Sequence, residues 1–148
     1  MAEVVIREAR DEDAAAIAEL LGELGYPTDA ASVPARLANM RADGGQWTLV
    51  AEASDELGGA QVVGMATIIV RHVINRDEPF GRLASVVVAE EWRSRGIGAA
   101  LMERTEQICL DAGCSAIEVT SAPHRPRAHD FYRRLGFIDR PERFIKPL

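Results

Sequence analysis

The chain has 148 residues, 47% hydrophobic and 27% charged, enough for one domain with its own core and without disulfides or a structural metal. Its formal charge of −6, with no basic tract to offset it, argues against a nucleic-acid partner. No apolar run approaches the ~20 residues that span a bilayer, and the opening Met1-Ala2-Glu3-Val4-Val5-Ile6-Arg7 lacks the basic and apolar regions of a secretion signal. The expectation is a single domain, residues 1–148, in the cytoplasm and off the membrane. Cys109 and Cys114 have no metal-type spacing and read as small buried hydrophobes.

Residues 4–8 alternate loosely and predict an opening strand. Asp11 and Asp13 supply cap and first-turn acids for a helix to about Leu24, with Ala14, Ile17, Leu20 or Leu21, and Leu24 at helical spacing. Gly25-Tyr26-Pro27 breaks it, and a second helix follows over 32–41 with Val33, Leu37 and Met40 on one side. Residues 47–53 and 61–73 predict a hairpin closed by Ser54-Asp55-Glu56-Leu57-Gly58-Gly59. The most apolar strand, 83–88, predicts a central position covered on both faces. A helix over 96–112, with Ile97, Leu101, Thr105, Ile108 and Ala112 inward and Gly113 as its cap, leads to a strand over 116–120. Those two strands are expected to be parallel. A last helix over 127–135 stops at Gly136 with Phe137 as its hydrophobic contact, and a strand near 143–145 closes the chain.

The turn Arg93-Ser94-Arg95-Gly96-Ile97-Gly98 joins the central strand to the long helix. Glycines at a helix start admit a ligand where a β-carbon would collide, and the helix N-terminus offers N–H groups and positive potential. With Arg93 and Arg95 this suits a di-anion such as a pyrophosphate. Taken alone, the turn serves equally well as a tight strand-to-helix connection with solvated arginines. A dinucleotide fingerprint needs a small residue where Leu101 stands, although Glu118 lies at a suitable distance for its ribose-binding acid. A phosphate loop of the Gly-Lys-Ser/Thr type is excluded.

Arg93-x-x-Gly96-x-Gly98 resembles the coenzyme A pyrophosphate motif of the GNAT superfamily of N-acetyltransferases. Downstream, Ala128-x-x-Phe131-Tyr132-x-x-Leu135-Gly136-Phe137 resembles a second signature of that superfamily, and the element order agrees over essentially the full length. The resemblance implies a mixed α/β fold: a mostly antiparallel sheet, one parallel pair splayed around the coenzyme cleft, and helices on both faces. It implies transfer of an acetyl group from acetyl-CoA to a primary amine of a small molecule or peptide by direct attack, without a metal. Backbone groups of Val86, Val87 and Val88 would hold the pantetheine arm, and Arg93, Ser94, Arg95, Gly96, Ile97, Gly98 and Ala99 the pyrophosphate. Tyr132 would give a proton to the leaving thiolate, since a phenol of pKa about 10 is matched to that task.

Two departures stand against the pattern. Many relatives carry a glutamate on the central strand where this chain has Ala84 and Ser85, so no base is assigned. The proton is expected to leave through ordered water, with Glu78, Asp77 or His72 at the far end or standing as plain surface residues. An asparagine that contacts the pantetheine arm in relatives is replaced by Arg125, and Arg125 or Arg127 either reaches a 3′-phosphate or belongs to an exposed cationic loop. The missing glutamate keeps a second reading open, an acyl-CoA-binding sensor with little catalysis. The resemblance places the acceptor among the first two helices, the Gly25-Tyr26-Pro27 loop and residues 71–80, with Tyr26, Trp47 and Phe80 as lining candidates. A homodimer, common among relatives, is an open expectation.

Overall fold

The computed structural model describes residues 3–119, 126–138 and 146–148. In chain order these form β1 (Glu3–Glu8), α1 (Ala14–Leu24), α2 (Val33–Asp43), β2 (Gln46–Ser54), β3 (Ala60–Arg71), β4 (Phe80–Val88), α3 (Ile97–Asp111), β5 (Ile117–Val119) and α4 (Pro126–Arg134). The five strands make one sheet in the order β1-β2-β3-β4-β5, antiparallel except for the β4–β5 pair. The hairpin between β2 and β3 closes on Asp55, whose Oδ1 accepts from the N–H groups of Leu57 and Gly59. A crossover through α3 makes the last pair parallel, as the strand–helix–strand pattern predicts. The closing strand expected near 143–145 lies outside the described residues.

Strand alternation divides the interior in two. On one face Leu49, Ala51, Ala53, Val63, Ala66, Ile68 and Leu83 pack against Ile97, Leu101, Met102 and Cys109 of α3. On the other, Val50, Met65 and Val87 are covered by Ile17 and Leu20 of α1 and by Val33 and Leu37 of α2. Helices thus lie on both faces. The inward stripe of α3 differs from the spacing read in the sequence. Met102 and Cys109 are buried, Ile108 is half-buried and Ala112 is exposed. Ala112 is the residue on which the helix ends, so the chain is already turning away from the sheet there. Both cysteines are free and buried as expected, and burial pushes the Cys109 thiol up to about 12. Among the described residues no helix is long and apolar enough to cross a membrane.

Two irregularities bend the sheet where it matters. Val63 on β3 is an extra residue between the Glu52↔Val62 and Ala51↔Gly64 pairs. Ala84 on β4 is another, between Ile68↔Leu83 and Thr67↔Ser85. Among the described residues the parallel ladder covers Gly81, Arg82 and Leu83, so β4 carries its bulge directly after that ladder.

Candidate functional site

Beyond Leu83 the main chain of β4 turns its polar groups alternately to its two edges. The Ala89 N–H bonds across to the Val63 carbonyl, so Ala89 and, two residues back, Val87 direct their backbone groups at β3. Val86 and Val88 therefore turn theirs to the opposite edge. Their side chains lie toward α3, and that of Val87 is buried beneath α1. Of the three valines singled out in the sequence, two turn polar main-chain groups to the edge that no strand pairs beyond Leu83 among the described residues. The Val88 carbonyl is engaged by the Arg93 Nε at 3.1 Å.

The turn that follows is held in a shape with alternating backbone hand. Ser94 has φ 63° and Gly96 φ 80°, with Arg95 of ordinary negative φ between them. Such alternation turns successive N–H groups toward one side and makes an anion-binding concavity. Gly96 caps α3, and the first i→i−4 bond of the helix runs from the Ala100 N–H to the Gly96 carbonyl at 3.0 Å. The N–H groups of Ile97, Gly98 and Ala99 precede that bond and point out of the helix start. Ile97 is 3% exposed and anchors the turn, while Arg93, Ser94, Arg95 and Ala99 are exposed. Arg95 lies over the Trp92 ring at 4.7 Å and donates to the Glu91 carbonyl at 3.2 Å, so its charge is held beside the turn. A Trp-x-x-Arg spacing is the only sequence sign of that contact.

The two glycines of the motif do different work. Gly96 is required by its left-handed φ, and space around it is open. Gly98 is required by close packing: a β-carbon there would sit 3.2 Å from both Cε1 and Cζ of Phe131. Gly98 is therefore where α4 rests on the first turn of α3. Gly98→Val should overpack this contact, costing about 2 kcal/mol of stability. It should also weaken coenzyme A binding several-fold by displacing α4 from the helix start, and Phe131→Leu in the same chain should recover part of both losses. Thermal unfolding and titration calorimetry check this; an undiminished Tm and affinity in Gly98→Val would defeat it.

Tyr132 stands next to Phe131 on α4. Both rings are half-buried against the α3-side core, and Tyr132 is edge-to-face with Phe131 (centroids 5.5 Å) and with Phe137 (5.6 Å). The second contact comes from the helix cap. The Phe137 N–H bonds to the Tyr132 carbonyl and the Gly136 N–H to the Arg133 carbonyl, both at 3.1 Å, with Gly136 at φ 92°. This two-bond cap brings the residue after the glycine onto the third residue from the helix end. The Leu-Gly-Phe signature is thus the device that seats Tyr132. The same cap ends α3, where Cys114 contacts Cys109 through the Cys114 N–H to Cys109 carbonyl bond of 2.9 Å. Arg125 lies outside the described residues.

One pair of side chains had no sequence signal. Thr67 Oγ1 and Ser85 Oγ, cross-strand partners on β3 and β4, are 2.5 Å apart. They lie on the α1 face, one step beyond Met65 and Val87 and directly after the Ala84 bulge. Glu23 near the end of α1 accepts from the Glu90 N–H at 3.3 Å, tying that helix to the turn before the anion site. Tyr26 is 64% exposed, Phe80 and Trp47 are half-buried, and Trp47 packs toward α3 rather than into the α1–α2 side.

Comparisons with known proteins bear on the family and the fold. Residues 7–137 match the family model described as Acetyltransferase (GNAT) family. A thialysine N-epsilon-acetyltransferase from Bos taurus is 32% identical over 151 residues, covering 96% of this chain and 88% of the relative. A Trypanosoma brucei acetyltransferase structure superposes with a TM-score of 0.79 at 25% identity, covering 99% of this chain and all of the other. An aminoglycoside N-acetyltransferase in complex with CoA superposes with a TM-score of 0.81 at 18% identity, covering 100% and 95% of the two chains, and shows the shared fold.

Proposed function

The chain belongs to the GNAT family of acetyltransferases, and from that premise we propose that it moves the acetyl group of acetyl-CoA onto a small primary alkylamine. The observation that carries the coenzyme assignment is the pairing of an alternating-hand N–H turn at the start of α3 with the main-chain edge of β4 beyond Leu83. Acetyl-CoA supplies an activated acetyl thioester. In this reading the N–H groups from Ser94 to Ala99 hold the pyrophosphate, and Arg93 and Arg95 add positive charge at its rim. The backbone of Val86 and Val88 hydrogen-bonds the pantetheine arm, while Val87 supports the edge from the α1 side. Tyr132 gives a proton to the departing sulfur. The whole chain acts as one catalytic domain.

The small-alkylamine acceptor is supported by the likeness to the thialysine N-epsilon-acetyltransferase, which extends over nearly the whole chain. Thiol release with amino acids bearing side-chain amines, polyamines, aminoglycosides and peptide N-termini tests it. Turnover is expected to be highest with the side-chain amines. Calorimetric binding of coenzyme A with no turnover on any amine would favour the sensor reading instead.

A further inference from the structure

We propose that the Thr67–Ser85 hydroxyl pair is the seat of the acceptor amine, positioning a neutral amine in the place where a carboxylate base would otherwise act; this rests on the acetyl-transfer reading above. An arm leaving the anion turn at Val88 and running along that edge of β4 reaches Ala84 after about 13 Å, four residues at strand rise. The thioester at its end therefore arrives at the bulge, beside Ser85. On the α3 face this stretch of sheet is covered by Leu101 and its neighbours, so a second reactant approaches from the α1 face. There, one step beyond the Met65–Val87 pair that α1 covers, the sheet presents Thr67 and Ser85.

Their contact prepares both oxygens. With Oγ1 and Oγ at 2.5 Å, one hydroxyl donates to the other, which fixes the donor's rotor. Each oxygen keeps an acceptor lone pair, and one O–H remains to donate outward. Such a pair takes an N–H from a neutral amine and aims its lone pair at the thioester carbon. It is too weakly basic to deprotonate an ammonium. None is needed once the amine is neutral: the nitrogen lone pair forms the C–N bond, and the C–S bond breaks with its electrons on sulfur. The nitrogen loses one proton and the sulfur gains one, so the count closes.

Two consequences can be measured. Ser85→Ala should lower kcat/KM for the amine about 10- to 100-fold through lost alignment, and should weaken acceptor binding to the coenzyme A complex about tenfold by calorimetry. Coenzyme A affinity should stay unchanged. Thr67→Val should act in the same direction, and Ser85→Thr should retain activity. In the wild type, kcat/KM should rise with pH until the acceptor itself is neutral. The rise should level off near pH 8 for an α-amine and should still be under way at about pH 9 for a lysine-type amine. Ser85→Ala within twofold of wild type in both turnover and acceptor binding would overturn the proposal, as would a plateau at one pH for both acceptors. Wild-type failure on every amine would overturn the acetyl-transfer reading together with it; a normal Ser85→Ala enzyme would overturn the positioning role alone.

Discussion

Tyr132→Phe is expected to lower kcat about 100-fold or more while leaving coenzyme A affinity unchanged. A thiolate leaves slowly unless it is protonated as the C–S bond breaks, and general-acid assistance of this kind contributes about 10²- to 10⁴-fold. The substitution removes only the phenol oxygen. The ring keeps its edge-to-face contacts with Phe131 and Phe137 and its place in the cap at Gly136. The helix start that Phe131 packs on is then undisturbed, which is why binding should hold. Steady-state kinetics with the best amine, beside calorimetry with coenzyme A, separates the two quantities. Equal turnover in the variant would remove the acid role. Equal loss of turnover and affinity would show that the hydroxyl acts on binding.

The parts of the site legible in the sequence are those made by local chemistry. A helix start with glycines and arginines announces an anion turn, because the N–H groups, the left-handed Gly96 and the flanking charges all lie within six residues. The Leu-Gly-Phe ending announces a cap for the same reason, and Gly136 and Phe137 occupy the positions that reading required. The reason for Gly98 was not legible: it looked like room for a ligand, and in the fold it meets Phe131, more than thirty residues along the chain. The Thr67–Ser85 pair was hidden by the Ala84 bulge, since a one-residue insertion changes which side chains share a face. Nor does periodicity reveal where a helix stops facing its sheet, which is how Ala112 was placed inward.

The least legible feature carries the second large effect. Arg7 on β1 spends all five N–H donors inside the fold. It makes a two-point contact with Asp13 at 2.8 and 2.9 Å, bonds to Glu52 on β2 at 2.7 and 3.2 Å, and donates to the Glu8 carbonyl at 3.0 Å. Asp13 also accepts from the Arg10 N–H at 2.7 Å, closing the short turn Asp11–Asp13 that launches α1. The sequence shows Asp13 only as a helix-start acid. In the fold its side chain is 8% exposed and that of Arg7 16%, so each charge depends on the other.

Asp13→Asn should therefore cost about 3 kcal/mol, the scale for breaking a largely buried pair. The Arg7 guanidinium holds the Asp13 carboxyl below the usual carboxylate range. A group whose pKa is depressed by folding stabilises fully above its unfolded value near 3.9, and that stability fades as pH falls through the lower folded value. The stability gap between wild type and Asp13→Asn should accordingly be constant from about pH 5 to 7 and shrink below about pH 4. Urea unfolding across that range measures it, and a gap that persists undiminished into acid would refute the assignment. Because this network sets the angle at which α1 leaves β1, loosening it should also shift Ile17 and Leu20 over Met65 and Val87. That movement reaches Ser85 two residues away, so at neutral pH the variant should show a raised KM for the amine with coenzyme A affinity kept.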